Sequence, residues 1–238
     1  MNTSRPDFPS LYKLQDEVIG LLSKYLAGFY LIGGTALGRF YLHHRYSEDL
    51  DFFTADEEGF ISQTNEVYHE LRRHFQLSED LNLRSQSYVS LHIQKPYRLK
   101  IDFVLETLPR WGDTVVVRGI EVDNPANILA NKLGCIVGRD EPKDVFDIYS
   151  LSKSYSFNWR SAYEQANKKQ LVDVADIAMR LSYYPVDWLR GLHWMMRPIH
   201  EESFVKDLKT ISDDLLFGTN NSLGIDKLNI ESATVVVH

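Results

Sequence analysis

Phe29-Tyr30-Leu31-Ile32-Gly33-Gly34-Thr35-Ala36-Leu37 and, after eleven intervening residues, Asp49-Leu50-Asp51-Phe52-Phe53 are the stretches that decide how this chain folds. The first reads as an apolar strand that ends in a glycine pair, with a helix over Thr35 to His43. Glycines let backbone come close to a ligand, and amides at a helix start suit a phosphate. The second reads as a strand over Asp49 to Phe53. Residues two apart on a strand share a face, so Asp49 and Asp51 project together. Two carboxylates side by side repel unless a cation lies between them, and hard oxygen donors at that spacing suit Mg²⁺, with Mn²⁺ as its substitute. A phosphate cradle beside such a pair is equipment for handling a nucleoside triphosphate.

A two-metal site needs a third carboxylate from a neighbouring strand. Asp102, in Lys100-Ile101-Asp102-Phe103-Val104, is one acid in an otherwise apolar strand. Burial there requires a metal or a partner; an outward-facing edge position is the other reading. Arg45 and Ser47 precede the carboxylate pair. Arg45 is a bidentate donor suited to a triphosphate or to Asp49, and Ser47 suits a phosphate contact or a turn cap. His43 and His44 read as surface histidines, because triphosphate chemistry favours oxygen ligands. Further on, Lys132 and Arg139 are two helical turns apart, and Asp144 and Asp147 share a helix face. An interhelical salt bridge from Asp144 to Lys132 or Arg139 is one reading of this group. A place at the reacting nucleotide is the other.

Around these residues the chain alternates helix and strand. Ser10 reads as the cap of a first helix carrying Leu11, Leu14, Val18, Leu21, Leu22 and Tyr25. Glu57 to Phe75 reads as a long amphipathic helix with Phe60, Ile61, Val67, Tyr68 and Leu71 inside. Strands follow at Tyr88 to Ile93, Leu99 to Leu105 and Thr114 to Val122. Asn124-Pro125 is a helix start, and segments to Phe217 read as helices broken near Gly138 to Pro142, Phe157, Pro185 and Pro198. Trp159, Trp188 and Trp194 read as core or interface residues of that part. The expected class is α+β: a mixed-sheet catalytic core over 1–122, a helical domain over 123–217 and a C-terminal tail over 218–238. Val235 to His238 reads as a loose tail, an added edge strand or a partner-binding segment.

The 238 residues are 44% hydrophobic and 25% charged, as in ordinary globular proteins. No apolar run is long enough to cross a bilayer, and Met1 to Ser10 has no signal-peptide core. One cysteine, Cys135, excludes an intrachain disulfide framework and points to a cytoplasmic location. The net charge of −7 argues against an indiscriminate nucleic-acid binder but allows a local basic groove. Its candidate contributors are Arg39, His43, His44, Arg45, Arg72-Arg73, Arg98 with Lys100, and Lys168-Lys169, of which Arg72-Arg73 and Lys168-Lys169 read first as solvated helix faces.

Gly33-Gly34-Thr35-Ala36-Leu37, Arg45-x-Ser47-x-Asp49-Leu50-Asp51-Phe52 and Lys143-Asp144-x-x-Asp147-Ile148 occur in one order. Over residues 28–151 they resemble the AbiEii/AbiGii-type nucleotidyltransferase toxins, within the DNA polymerase β-like superfamily. The resemblance implies a nucleotidyltransferase core in which Asp49, Asp51 and Asp102 hold Mg²⁺ and Asp102 activates the attacking hydroxyl. It places Asp144 among the catalytic residues. It assigns Gly33, Gly34, Thr35, Arg45, Ser47, Lys132 and Lys143 to the nucleotide. The implied reaction moves NMP from an NTP to an acceptor hydroxyl such as a tRNA 3′ end, in a toxin with a cognate antitoxin. The usual Gly-Ser start and short spacing of minimal antitoxin-type nucleotidyltransferases are absent. AMP or phosphate transfer to a protein is therefore the second reading. A non-catalytic nucleotide-binding or antitoxin-like module is the third.

Overall fold

A computed structural model describes residues 7–236. The chain divides into two units that are not contiguous in sequence. Among the described residues, the first comprises those up to Ala36, Tyr46–Thr107 and Thr114–Asp123; the second comprises Leu37–Arg45, Leu108–Asp113 and those from Asn124 onward.

Among the described residues the first unit holds an eight-stranded mixed sheet. Its strands are β1 (Tyr30–Ile32), β2 (Leu50–Thr54), β3 (Gln76–Leu77), β4 (Leu83–Arg84), β5 (Tyr88–Lys95), β6 (Leu99–Leu105), β7 (Val115–Val117) and β8 (Ile120–Val122). They run in the order β3-β5-β6-β2-β1-β8-β7, with β4 on β5. β2 pairs parallel with β6 and β1 parallel with β8, while β1–β2 and β5–β6 are antiparallel. On β6 the pleat sends Leu99, Ile101 and Phe103 into the core, each at most 1% exposed, and leaves Lys100 and Asp102 on the other face. Phe52 stacks on Phe103 with centroids 5.6 Å apart, and Phe29 meets Phe103 edge-on. Burying each such ring contributes about 2–3 kcal/mol, which anchors the strands carrying the acids.

Helices α1 (Phe8–Leu22) and α3 (Phe60–His74) belong to the same unit. The cap of α1 is Asp7, whose carboxylate accepts from Ser10 N at 3.2 Å, so Ser10 lies inside the first turn and is not the cap. The buried stripe of α3 is Phe60, Thr64, Val67 and Leu71; Ile61, expected inside, is 40% exposed. Thr114 to Val122, expected as one strand, is the hairpin β7–β8. It reverses at Arg118 and Gly119, both at positive φ (50° and 81°). That pair of angles makes the tight turn whose twist matches paired strands.

Five helices dominate the second unit: α4 (Pro125–Gly138), α5 (Pro142–Ser154), α6 (Trp159–Lys169), α7 (Val174–Ser182) and α8 (Glu201–Phe217). Asn124 caps α4 as expected, accepting from Asn127 N at 2.9 Å. Its amide also donates to the Trp111 and Asp113 carbonyls, which ties residues 108–113 to the helix start. Trp159 and Trp194 are buried, whereas Trp188 is 47% exposed. Past Gly218 the chain folds back: Trp159 N donates to Thr219 O, and Asn221 Nδ2 donates to the Ser152 and Tyr155 carbonyls. Val236 N donates to Phe40 O at 2.8 Å. Val237 and His238 lie outside the described residues.

Candidate functional site

The acidic site grows from the pairing of the central strands. α2 (Gly33–Leu37) starts directly after β1, two residues before the expected Thr35, and passes into a π-helical turn over Gly38–Leu42. Gly33 sits at φ +73°, where side chains are disfavoured, and a Cβ on it would lie 3.5 Å from Asp51 Oδ2. The carboxylate of Asp51 therefore faces the glycine turn. The Thr35 hydroxyl donates to the carbonyl of Asp49, fastening the turn to the residue just before β2. Ser47 is held through its backbone, its N–H donating to Tyr12 Oη and its carbonyl accepting from Gln15 Nε2, both at 3.1 Å.

Asp51 stands directly opposite Asp102 in the β2–β6 register, and Ser90 stands opposite Asp102 in the β5–β6 register. Side chains paired in this way share one face, so Asp51, Asp102 and Ser90 form a row across three strands. Asp102 is only 8% exposed, as expected of a buried acid with partners. Oδ1 accepts from Ser90 Oγ at 2.7 Å; Oδ2 accepts from Lys100 Nζ at 2.6 Å and Tyr88 Oη at 3.1 Å. Burial opposes the charge on Lys100, but Asp102, then Tyr88 and Asp49, overcome it and raise the ammonium above its ordinary range. Tyr88, Ser90 and Lys100 were not singled out from sequence as partners of this acid. Their i, i+2 spacing along two paired strands was the available signal.

The hard oxygen donors of Asp49, Asp51 and Asp102 match a divalent cation of the Mg²⁺ type. The Gly33 turn leaves room beside Asp51 that a side chain would fill. Among the described residues no group of three or more His, Cys, Asp or Glu side chains is already gathered to hold a metal. Beside Asp49 and Lys100 lies a cavity of about 900 Å³, also lined by His92, Lys95, Tyr97 and Arg98.

A second polar constellation lies within the helical unit. Arg45 is 2% exposed and grips Asp147 with Nε at 2.6 Å and Nη2 at 2.8 Å. His44 Nε2 lies 2.8 Å from the same carboxylate, and the ring stacks on Phe146, so His44 is packed and not a surface histidine. Burial lowers its pKa despite Asp147, which favours the neutral ring. Lys132 Nζ meets Asp144 at 2.6 Å and Asp147 at 2.7 Å, and Arg139 Nε meets Asp144 at 2.7 Å. The interhelical bridge read from helix spacing is thus present, joining α4 to α5. α4 ends at Gly138, so Arg139 reaches Asp144 from an extended residue and not along a shared helix face. Burial would raise both aspartates. The neighbouring cations reverse this, Arg45 leading for Asp147 and Lys132 for Asp144, and hold both below the usual carboxylate range. Lys143 lies in the first turn of α5, its backbone N–H 3.5 Å from Glu141 Oε1.

A mixed sheet that carries a glycine turn, an Asp-x-Asp strand and a third aspartate at matched register defines the nucleotidyltransferase fold of the DNA polymerase β-like superfamily. Residues 21–190 match the family described as nucleotidyl transferase AbiEii toxin, type IV TA system, and the chain belongs to that family. An uncharacterized protein of Aquifex aeolicus (strain VF5) is 28% identical over 161 residues, covering 66% of this chain and 73% of that protein. A candidate nucleotidyltransferase of Helicobacter pylori shares the fold at 20% identity and a TM-score of 0.63, over 88% of this chain and 95% of that one. MenT4, a nucleotidyltransferase toxin of Mycobacterium tuberculosis H37Rv, does so at 17% identity and a TM-score of 0.57, over 88% and 85%. No helix among the described residues is long and apolar enough to cross a membrane.

Proposed function

We propose that this protein is a Mg²⁺-dependent nucleotidyltransferase that moves NMP from an NTP to an acceptor hydroxyl, the 3′ end of a tRNA being the acceptor the family suggests. In the cell it acts as the toxin of a toxin–antitoxin pair with a cognate antitoxin. The observation that carries the reading is the matched register of Asp51 and Asp102, with Gly33 against the Asp51 carboxylate. Asp49 and Asp51 would hold the metal, with Asp102 as the third acid; Mn²⁺ would serve in place of Mg²⁺. The bound metal supplies polarisation of the α-phosphate and neutralises charge on the leaving pyrophosphate.

The chain's own groups do the rest. Backbone at Gly33 and Gly34 approaches the β- and γ-phosphates, while Thr35 keeps the turn fastened to Asp49. Asp102, oriented by Ser90, Tyr88 and Lys100, accepts the proton of the attacking hydroxyl. The acceptor oxygen then bonds the α-phosphorus, and the bond from that phosphorus to the bridging oxygen of pyrophosphate breaks.

Incubation with each labelled NTP, Mg²⁺ and total RNA or total protein tests this. Wild-type protein should label RNA, and Asp51→Asn should lower the rate by roughly two orders of magnitude or more with an unchanged thermal melt. An Asp51→Asn protein as active as wild type would remove the site.

A further inference from the structure

We infer that the turn joining β5 to β6 is the subsite that holds the acceptor as a single-stranded RNA, with Lys95 and Arg98 on phosphates and Tyr97 under a base. The inference rests on the proposed reaction, and its measurement does not depend on catalysis.

Ile93 and Leu99 are the last paired residues of this hairpin, so Gln94 to Arg98 form its tip. Leu99 and Ile93 are buried at its base, whereas Lys95, Tyr97 and Arg98 are exposed. All three line the cavity that also contains Asp49 and Lys100. Across the hairpin His92 stands opposite Lys100, so the polar wall runs from the tip along the strands toward Asp102.

What sets the tip apart is that two exposed cations and an exposed tyrosine stand together on one cavity wall. In this chain of net charge −7 some exposed cations pair with acids, as Arg73 does with Glu70, Arg118 with Asp16, Arg180 with Asp140 and Arg190 with Glu201, while others among the described residues, such as Lys206, Lys209 and Lys227, face solvent without one. Among the described residues neither Lys95 nor Arg98 has an ion-pair partner, although Glu48 and Asp49 line the same cavity. Two uncommitted cations flanking an exposed phenol suit a polymer that alternates phosphate and aromatic base. An ammonium and a guanidinium contact phosphodiesters without reading sequence, and a tyrosine face stacks on any base. A protein acceptor offers no such repeat of anion and ring. The NTP needs its charges near Gly33 on α2 and Asp51 on β2, neither of which belongs to this hairpin.

Binding of a short fluorescein-labelled single-stranded RNA, followed by anisotropy across a salt series, tests the subsite in the full-length protein. Calorimetric NTP binding is measured in parallel. Lys95→Ala/Arg98→Ala should weaken RNA binding and reduce the log–log salt slope by about 1.4, two phosphate contacts for a single strand. Tyr97→Ala should weaken it roughly five- to a hundredfold, and Tyr97→Phe should retain it. NTP affinity and thermal melts should stay at wild-type values, because the three side chains are exposed at a hairpin tip. An unchanged RNA affinity and slope would overturn the subsite, and so would equal loss of RNA and NTP binding, which would assign these cations to the triphosphate. Wild-type protein that labels protein from NTP and binds no RNA would overturn the subsite and leave nucleotidyl transfer standing. RNA binding that follows the expected pattern, with no transfer from any NTP, would support the subsite and fail the proposed reaction.

Discussion

Asp147 is fully buried, yet it keeps its charge because Arg45, Lys132 and the His44 ring surround it. Removing one partner from a buried ionic group leaves the others uncompensated, at a cost of about 3–5 kcal/mol. Asp147→Asn should destabilise the protein by that order at neutral pH, read from denaturant midpoints. Its folded-state pKa lies below the unfolded value, so its contribution is present above about pH 4 and is lost as pH falls through the folded value. The gap between wild type and Asp147→Asn should therefore narrow in acid. Legibility at this scale was uneven. The Lys132–Asp144 bridge could be read because helical spacing puts both on predictable faces. Arg45 and His44 reach Asp147 across separations of 102 and 103 residues, and no periodicity links such positions. The preference of triphosphate chemistry for oxygen ligands made His44 read as a surface residue; its stacking on Phe146 and its contact with the Asp147 carboxylate are what hold it inside, and the sequence alone does not display them.

At the scale of elements, the start of α4 carries more than a cap. Asn124 satisfies the Asn127 amide and two carbonyls of residues 111–113, while Asn127 Oδ1 accepts from Trp111 N at 3.0 Å. Asn124→Ala loses the cap and strands those carbonyls, which should cost about 2 kcal/mol or more. Asn124→Asp, which keeps the acceptor but not the donor, should recover part of it; thermal unfolding of the pair separates the roles. This element was legible because Asn-Pro at a helix start is a local signal. The hairpin β7–β8 was not, since its turn uses Arg118 at φ 50° in place of the asparagine that usually marks such a reversal. The π-helical turn at Gly38–Leu42 was likewise unread, because its apolar residues suit an ordinary helix. Gly38 marks the place afterwards: a Cβ there would lie 2.8 Å from the Arg45 carbonyl.

At the scale of the molecule, neither unit is one stretch of chain. The helical unit takes Leu37–Arg45 and Leu108–Asp113 from the middle of the sheet unit's sequence. Composition could show that helices dominate after Asn124, but not that the guanidinium completing their ionic core lies at position 45. A fragment beginning at Asn124 would hold Asp147 without Arg45 or His44. It should lack the sharp melting transition of the full chain in calorimetry, and a fragment as cooperative as the whole would refute this. The same interleaving bears on inheritance. A single crossover between two diverged genes near codon 124 would unite an arginine loop from one parent with an aspartate from the other. Viable chimeras need matched exchanges at several breakpoints, so the gene should pass between genomes as an undivided block.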